Sequence, residues 1–245
     1  MAILQAEAVT RPQFWGITPV GKAIFYFLAV LSVIVFAYGV YRRVSRLRTG
    51  SEDHLDRLEN LSSRVVSGAK IVFTNEKQFD RDLVGGLMHT FIFWGFLTLF
   101  IATAILAFDE WAYRNGTELL LGTRQSFFEG TFYLSYSFVV DAMGLLFVVG
   151  LGVALYRRYV RETERLWGVH TGREDALLVW SLFLLGIGGY LTESLRIVGT
   201  EFPAHETISF VGYFGALVLS AVGVSADLAE GVYPFVWWSH ALLAL

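Results

Sequence analysis

Four stretches of the chain, 23–41, 83–108, 132–156 and 176–195, are almost unbroken runs of apolar residues. A hydrocarbon layer about 30 Å thick is crossed by a helix of roughly 20 residues, each rising about 1.5 Å. Each run meets that length, so the chain is read as an all-α transmembrane helical bundle. The composition agrees: 55% of residues are hydrophobic and mean hydropathy is +0.53, more apolar side chain than a soluble domain needs. Only four prolines interrupt helix formation.

A fifth apolar segment, VYPFVWWSHALLAL, begins at Val232 and reaches the last residue, Leu245. Fourteen residues make about 21 Å of helix, too short to cross. The expectation is a truncated last span that continues beyond Leu245. Segment 209–224 (SFVGYFGALVLSAVGV) is apolar but short and holds three glycines. Five spans are therefore expected, or six if that segment crosses. Residues 1–22 lack the basic start and short apolar core of a cleavable signal. They are read as an extracytoplasmic segment ahead of a bundle over 23–245 that is incomplete at its C-terminus.

Basic residues set the orientation. Nine Lys or Arg fall in 42–81 and five in 157–173, against five (Arg11, Lys22, Arg114, Arg124, Arg196) elsewhere. Fourteen against five places the loops 42–81 and 157–173 in the cytoplasm and the N-terminus outside. Asp109, Glu110, Glu118 and Glu129 then fall in an outer loop. The inner loop 42–82 is expected to be partly helical (EDHLDRLENLSSRV), as a solvated connector or as a dock for a soluble partner. The net charge of -3 gives no support for nucleic acid. Absence of cysteine excludes disulfides and iron–sulfur ligation within these residues. Neither an internal repeat, a Gly-rich phosphate loop nor a Ser–His–Asp arrangement is present.

Ionisable residues at membrane depth are costly and usually face the bundle interior. Here they are His89, Asp141, Glu193, Arg196 and His240, while His54, His170 and His205 fall in loops. His89 (GLMHTFIFWGF) is about one and a half turns inside span two, with Gly85, Gly86 and Gly95 nearby. Neutral imidazole is a standard axial ligand for heme iron, and the glycines would let a flat macrocycle approach. The other reading is a histidine bonded to a neighbouring helix. His240 follows two tryptophans suited to the membrane interface. Asp141 (SFVVDAMG) is a proton relay or a buried partner for a hydroxyl or basic group. Glu193 and Arg196 (LTESLRI) are three apart and can pair along one helix face, or Arg196 can meet a heme propionate.

At these residues the chain resembles a known family. Span two (DRDLVGGLMHTFIFWGFLTLFIAT), span three ending in VALYRRYVRETERL, span four ending in GYLTESLRI and the segment WWSHALLAL occur in the order found in the nitrate reductase gamma subunit and heterodisulfide reductase cytochrome b family. The resemblance runs from about Ala23 to Leu245 and is closest to the N-terminal part of membrane-anchored iron–sulfur oxidoreductases related to heterodisulfide reductase. It implies a five-helix membrane cytochrome b with one or two b hemes between helices two and five. Electrons would pass between membrane quinone and a cytoplasmic iron–sulfur or flavoprotein module. His89 matches the helix-two ligand and His240 the first helix-five ligand. Leu99 stands where the gamma subunit has a second helix-two histidine. A later helix-five histidine, roughly 18 residues after His240, and any 4Fe-4S clusters are expected only outside residues 1–245.

The expected function is a heme b electron-transfer domain of a membrane-bound oxidoreductase in the cell membrane. The alternatives are a non-redox helical module, such as a transporter or anchor, and a quinone-binding anchor that has lost heme. Two geometries stay open. If 209–224 does not cross, the last span enters from outside, and His89 and His240 differ in depth by about 10 Å. If it does cross, both reach similar depth and can share one heme.

Overall fold

A computed structural model describes residues 9–47, 59–80, 82–161 and 173–245. His54, His170 and the 52–58 part of the inner-loop helix expectation lie outside the described residues. The described residues are helical in every regular element: α1 (Pro19–Leu47), α2 (Leu61–Thr74), α3 (Glu76–Phe79), α4 (Leu83–Ala107), α5 (Arg114–Leu121), α6 (Gly130–Tyr159), α7 (Arg173–Gly199), α8 (Phe210–Ala221) and α9 (Ala226–Ala244). Four helical stretches are long and apolar enough to cross a membrane: Pro19–Leu47, Leu83–Leu121, Gly130–Tyr159 and Glu174–Gly199.

Their apolar side chains point outward. No residue of α1 is buried, and Phe27, Val33 and Phe36 are each 66–73% exposed. A water-soluble protein rarely leaves such continuous apolar surface uncovered. Lipid supplies the missing cover for the described spans.

Local chemistry sets the helix ends. Asp82 caps α4 by accepting a hydrogen bond from the Val84 amide at 3.1 Å. Ser225 caps α9 in the same way through the Leu228 amide at 3.2 Å. Between α8 and α9 the chain turns at Gly223, whose φ of +93° suits a residue without a side chain. Past Ala107 the chain does not open into a loop. It widens into one π-helical turn (Phe108–Tyr113) and continues as α5, so Asp109, Glu110 and Glu118 belong to a helical extension of span two.

The helices assemble side by side, α4 on α6, α6 on α7 and α7 on both α8 and α9. Small residues allow the closest approach. A Cβ at Gly95 would lie 2.6 Å from Phe147 Cβ, and one at Gly150 would lie 2.9 Å from Ile92. The densest apolar core joins Leu195, Ile197 and Val198 of α7 to Ala216 of α8 and Ala229 and Tyr233 of α9. Farther along α9, His240 lies against Gly188 and Gly189 of α7. Advancing along α9 therefore retraces α7, so the two helices are antiparallel and α9 starts at the end where α7 finishes.

The 12 residues of α8 make about 18 Å of helix, short of the hydrocarbon thickness. Gly212 and Gly215 pack on Glu193 and Ser194, and Leu219 shares a groove with Leu191 and Leu195. The helix thus stays on the final third of α7. Segment 209–224 is accordingly a short helix and a turn that bring the chain back along α7.

One end of the bundle carries Arg157, bound to Asp82, with the basic tail of α1 extending from it. The far end gathers Arg11, Lys22, Arg114, Arg124 and Arg196. Four of these five are ion-paired there, and Arg11 lies over the rings of Phe128 and Tyr136.

Candidate functional site

Four polar features occupy the apolar bundle. The most buried is at the far end. Arg196 Nη1 donates to Glu206 Oε1 at 2.6 Å and Nη2 to Oε2 at 2.9 Å, a forked pair with both residues at most 3% exposed. Tyr133 donates its hydroxyl to the same carboxylate at 2.8 Å. Burial pushes the Glu206 carboxyl up, but the bonds from Arg196 and Tyr133 outweigh it and hold the group below its ordinary 4.5. His205 Nε2 donates to Thr10 O at 3.0 Å and tethers the N-terminal segment to this cluster.

Glu193, expected to pair with Arg196 along the helix, is 3.9 Å from it and makes no hydrogen bond among the described residues. That contact is an i,i+3 ion pair, as expected, but Arg196 makes its hydrogen bonds to a residue ten positions later. Both of its terminal nitrogens hold Glu206, which takes the place that a propionate would need.

Asp141 is 2% exposed and has a defined task. Its two oxygens accept from the backbone amides of Val211 (2.8 Å) and Gly212 (3.1 Å), the first turn of α8. Those amides have no partner within their own helix, and a carboxylate there also meets the positive end of the helix dipole. Tyr190 donates to the Asp141 carbonyl at 2.5 Å and locks α7 onto the same spot.

The histidines are apart in the fold. His240, on α9, is partly buried, and its Nδ1 is enclosed without a hydrogen-bond partner. Its ring lies in a cradle that side chains would fill: a Cβ at Gly188 would be 3.2 Å from Nδ1, and one at Gly189 3.4 Å from Cε1. His89, on α4, is exposed on the helix surface near the basic end. There Arg157 Nη2 binds Asp82 at 2.5 Å and holds that carboxyl below its usual range. Room at the span-two glycines is taken by protein, Gly86 by Phe79 and Gly95 by Phe147 and the Met143 carbonyl. Among the described residues no group of three or more His, Cys, Asp or Glu could hold a metal ion.

A second charged network escaped sequence reasoning. Asp109, with no exposed surface, accepts from Gln13 (3.0 Å), Arg114 (2.8 Å), Ser126 and the Phe127 amide (3.2 Å). Its neighbour Glu110 binds Lys22 and Arg124. Two adjacent acids at the end of an apolar run read as a solvated loop. In the fold they fasten the N-terminal segment and α1 to the bundle.

Membrane-spanning length, outward apolar faces and an interior polar network define a membrane protein. Along nine-tenths of its length it is similar to proteins named as oxidoreductases. It is 28% identical over 229 residues to an "EtfAB:quinone oxidoreductase" of Syntrophomonas wolfei subsp. wolfei, covering 89% of this chain and 29% of that protein. It is 25% identical over 227 residues to the "Probable iron-sulfur-binding oxidoreductase FadF" of Bacillus subtilis, covering 91% of this chain and 29% of the relative. The chain thus spans less than a third of the length of these curated relatives. Neither relative is named for nitrate reductase or heterodisulfide reductase; the second shares the iron–sulfur character of the closest resemblance. No known family's profile matches the chain, and no solved structure matches it.

Proposed function

We propose that this chain is the membrane electron-transfer part of an oxidoreductase of the cell membrane. It would pass electrons between a membrane quinone and an iron–sulfur or flavoprotein module at the basic end of the bundle. The observation that carries the reading is the similarity, over 89% and 91% of the chain, to one relative named for quinone and one named for iron–sulfur. By the excess of basic residues, that end is cytoplasmic, residues 1–22 lie outside, and 23–245 form the bundle. The antiparallel course of α9 along α7 supports a fifth crossing begun from the outer side.

A buried imidazole nitrogen without a partner, held in a glycine cradle, fits an axial heme ligand. His240 would hold heme b, which supplies a one-electron carrier; His89, exposed on α4 beside glycines filled by Phe79 and Phe147, has no such cradle. Around His240, the glycines at 188 and 189 admit the ring, and the α7–α9 contact excludes water. Arg196 does not fit a propionate, because Glu206 occupies it.

Purified protein should show a b-type band in a reduced-minus-oxidised visible spectrum, and His240→Ala should remove it at unchanged helix content. A folded, colourless wild-type protein would sink the heme assignment. The glycine cradle equally suits a histidine that only packs, as in a non-redox membrane module. That reading predicts a colourless wild-type protein and a His240→Ala variant that loses stability.

A further inference from the structure

Glu193 is a carboxyl group at membrane depth that makes no hydrogen bond among the described residues, and most of the donors around it serve other acceptors. Its side chain is 18% exposed and lies against Gly212, where a Cβ would come within 2.5 Å of Oε2. The Gly212 amide serves Asp141 at 3.1 Å. Arg196 gives both terminal nitrogens to Glu206. Tyr136 donates to the Ala102 carbonyl at 3.2 Å and Tyr190 to the Asp141 carbonyl at 2.5 Å. Ser194 donates to the Gly212 carbonyl at 2.9 Å and Thr192 to the Gly188 carbonyl at 2.7 Å.

A carboxylate in this position would lack any charge-assisted hydrogen bond, a state the interior penalises by several kcal/mol. The carboxylic acid instead has one O–H to donate, and among the described residues it donates to no protein acceptor. Its fitting guest presents a carbonyl oxygen, comes from the membrane and carries a proton away. We infer that Glu193 binds a quinone carbonyl in the far-end half of the bundle and exchanges the proton of its reduction, which presupposes the quinone reaction proposed above.

The chemistry balances. Two electrons reach the quinone from the redox chain, and each quinone oxygen takes one proton. Glu193 gives its O–H proton and becomes a carboxylate 3.9 Å from Arg196 Nη2, which steadies the charge without a new side chain. It regains a proton from water at the far end, so two visits serve one quinone. The charged and titratable groups acting on it are Arg196, Arg11, Asp141 and Glu206, with Tyr136, Tyr190 and Tyr233 beside them.

The test uses full-length protein in lipid vesicles, with menadione as the quinone probe. Infrared difference spectra should show a carboxylic C=O band that shifts when menadione binds, and Glu193→Gln should lack it. In that variant menadione reduction should slow by about 10²-fold or more, and its rate should lose its dependence on pH. Glu193→Asp, which keeps the acid, should retain the band and part of the rate. An unchanged band and rate in Glu193→Gln would overturn the inference and leave the quinone reading standing. A wild-type protein that neither binds nor reduces menadione would instead remove the quinone reading itself.

Discussion

Arg196 shows how far a single residue can be read before the fold is known. Its cost at membrane depth announced a partner, and helical spacing nominated Glu193, three positions away. Glu193 keeps a loose ion pair at 3.9 Å, while the hydrogen-bonded partner is Glu206, brought back by the short turn Ala204–Ile208. Nothing local in AHETI distinguishes Glu206 from a solvated loop acid, because its burial depends on how α7, α6 and the N-terminal segment converge. Removing one member leaves the other charge buried. Arg196→Met or Glu206→Gln should each cost about 3–5 kcal/mol, read as a fall in thermal midpoint in detergent. The double replacement Arg196→Met with Glu206→Met should cost less than the sum of the two single changes to Met, since no lone charge remains. Acid should act through the same pair. Because folding depresses the Glu206 carboxyl below 4.5, its stabilising contribution is present above that value and is lost as pH falls through the lower folded value. The thermal midpoint of the wild-type protein should therefore drop in that acid window more than that of Glu206→Gln. Equal acid sensitivity in the two would separate the pair from stability.

At the scale of helices, apolar run length and basic flanks revealed the four long spans, and each run falls within one of the four spanning stretches. What stayed hidden was what each helix meets. Glycines in span two were read as room for a macrocycle, yet Gly95 admits Phe147 of α6 and Gly86 admits Phe79 of α3. A glycine in a sequence marks a close approach without naming the approaching group. The extension of span two through a π-helical turn was equally hidden, because Asp109 and Glu110 look like a loop until Gln13, Arg114 and Ser126 are placed around one and Lys22 and Arg124 beside the other. The contrast among glycines is measurable. Gly95→Val puts side-chain atoms where Phe147 Cβ is 2.6 Å from the first of them, and should cost about 1–3 kcal/mol or more by forcing α4 from α6. Gly39→Ala, in α1, meets nothing within 4 Å and should be neutral or gain about 0.5–1 kcal/mol from helix propensity. Thermal unfolding should show a lowered midpoint for Gly95→Val and an equal or raised one for Gly39→Ala. A Gly95→Val protein as stable as wild type would refute the α4–α6 packing.

For the whole molecule, the fold keeps apart the two sets of basic residues that the charge count distinguishes. The count of fourteen basic residues against five was made along the chain, and the fold collects the five at one end with acids to match. Lys22, Arg114 and Arg124 are neutralised by Asp109 and Glu110, and Arg196 by Glu206, so that end offers little free positive charge to hold it in the cytoplasm. The basic end keeps Arg42 and Arg43 on the exposed tail of α1, where they can meet anionic lipid. Residues 1–245 hold no cysteine, so a cysteine placed among them has no native counterpart in this stretch. Single cysteines at Lys77, at the basic end, and Gln125, at the far end, both replace exposed side chains. In intact cells an impermeant thiol reagent should label Gln125→Cys and spare Lys77→Cys, and after lysis it should label both. Labelling of Lys77→Cys alone in intact cells would invert the bundle. The quinone half of Glu193 would then face the cytoplasm, the redox module would meet the far end, and the protons of quinone reduction would be drawn from the opposite compartment.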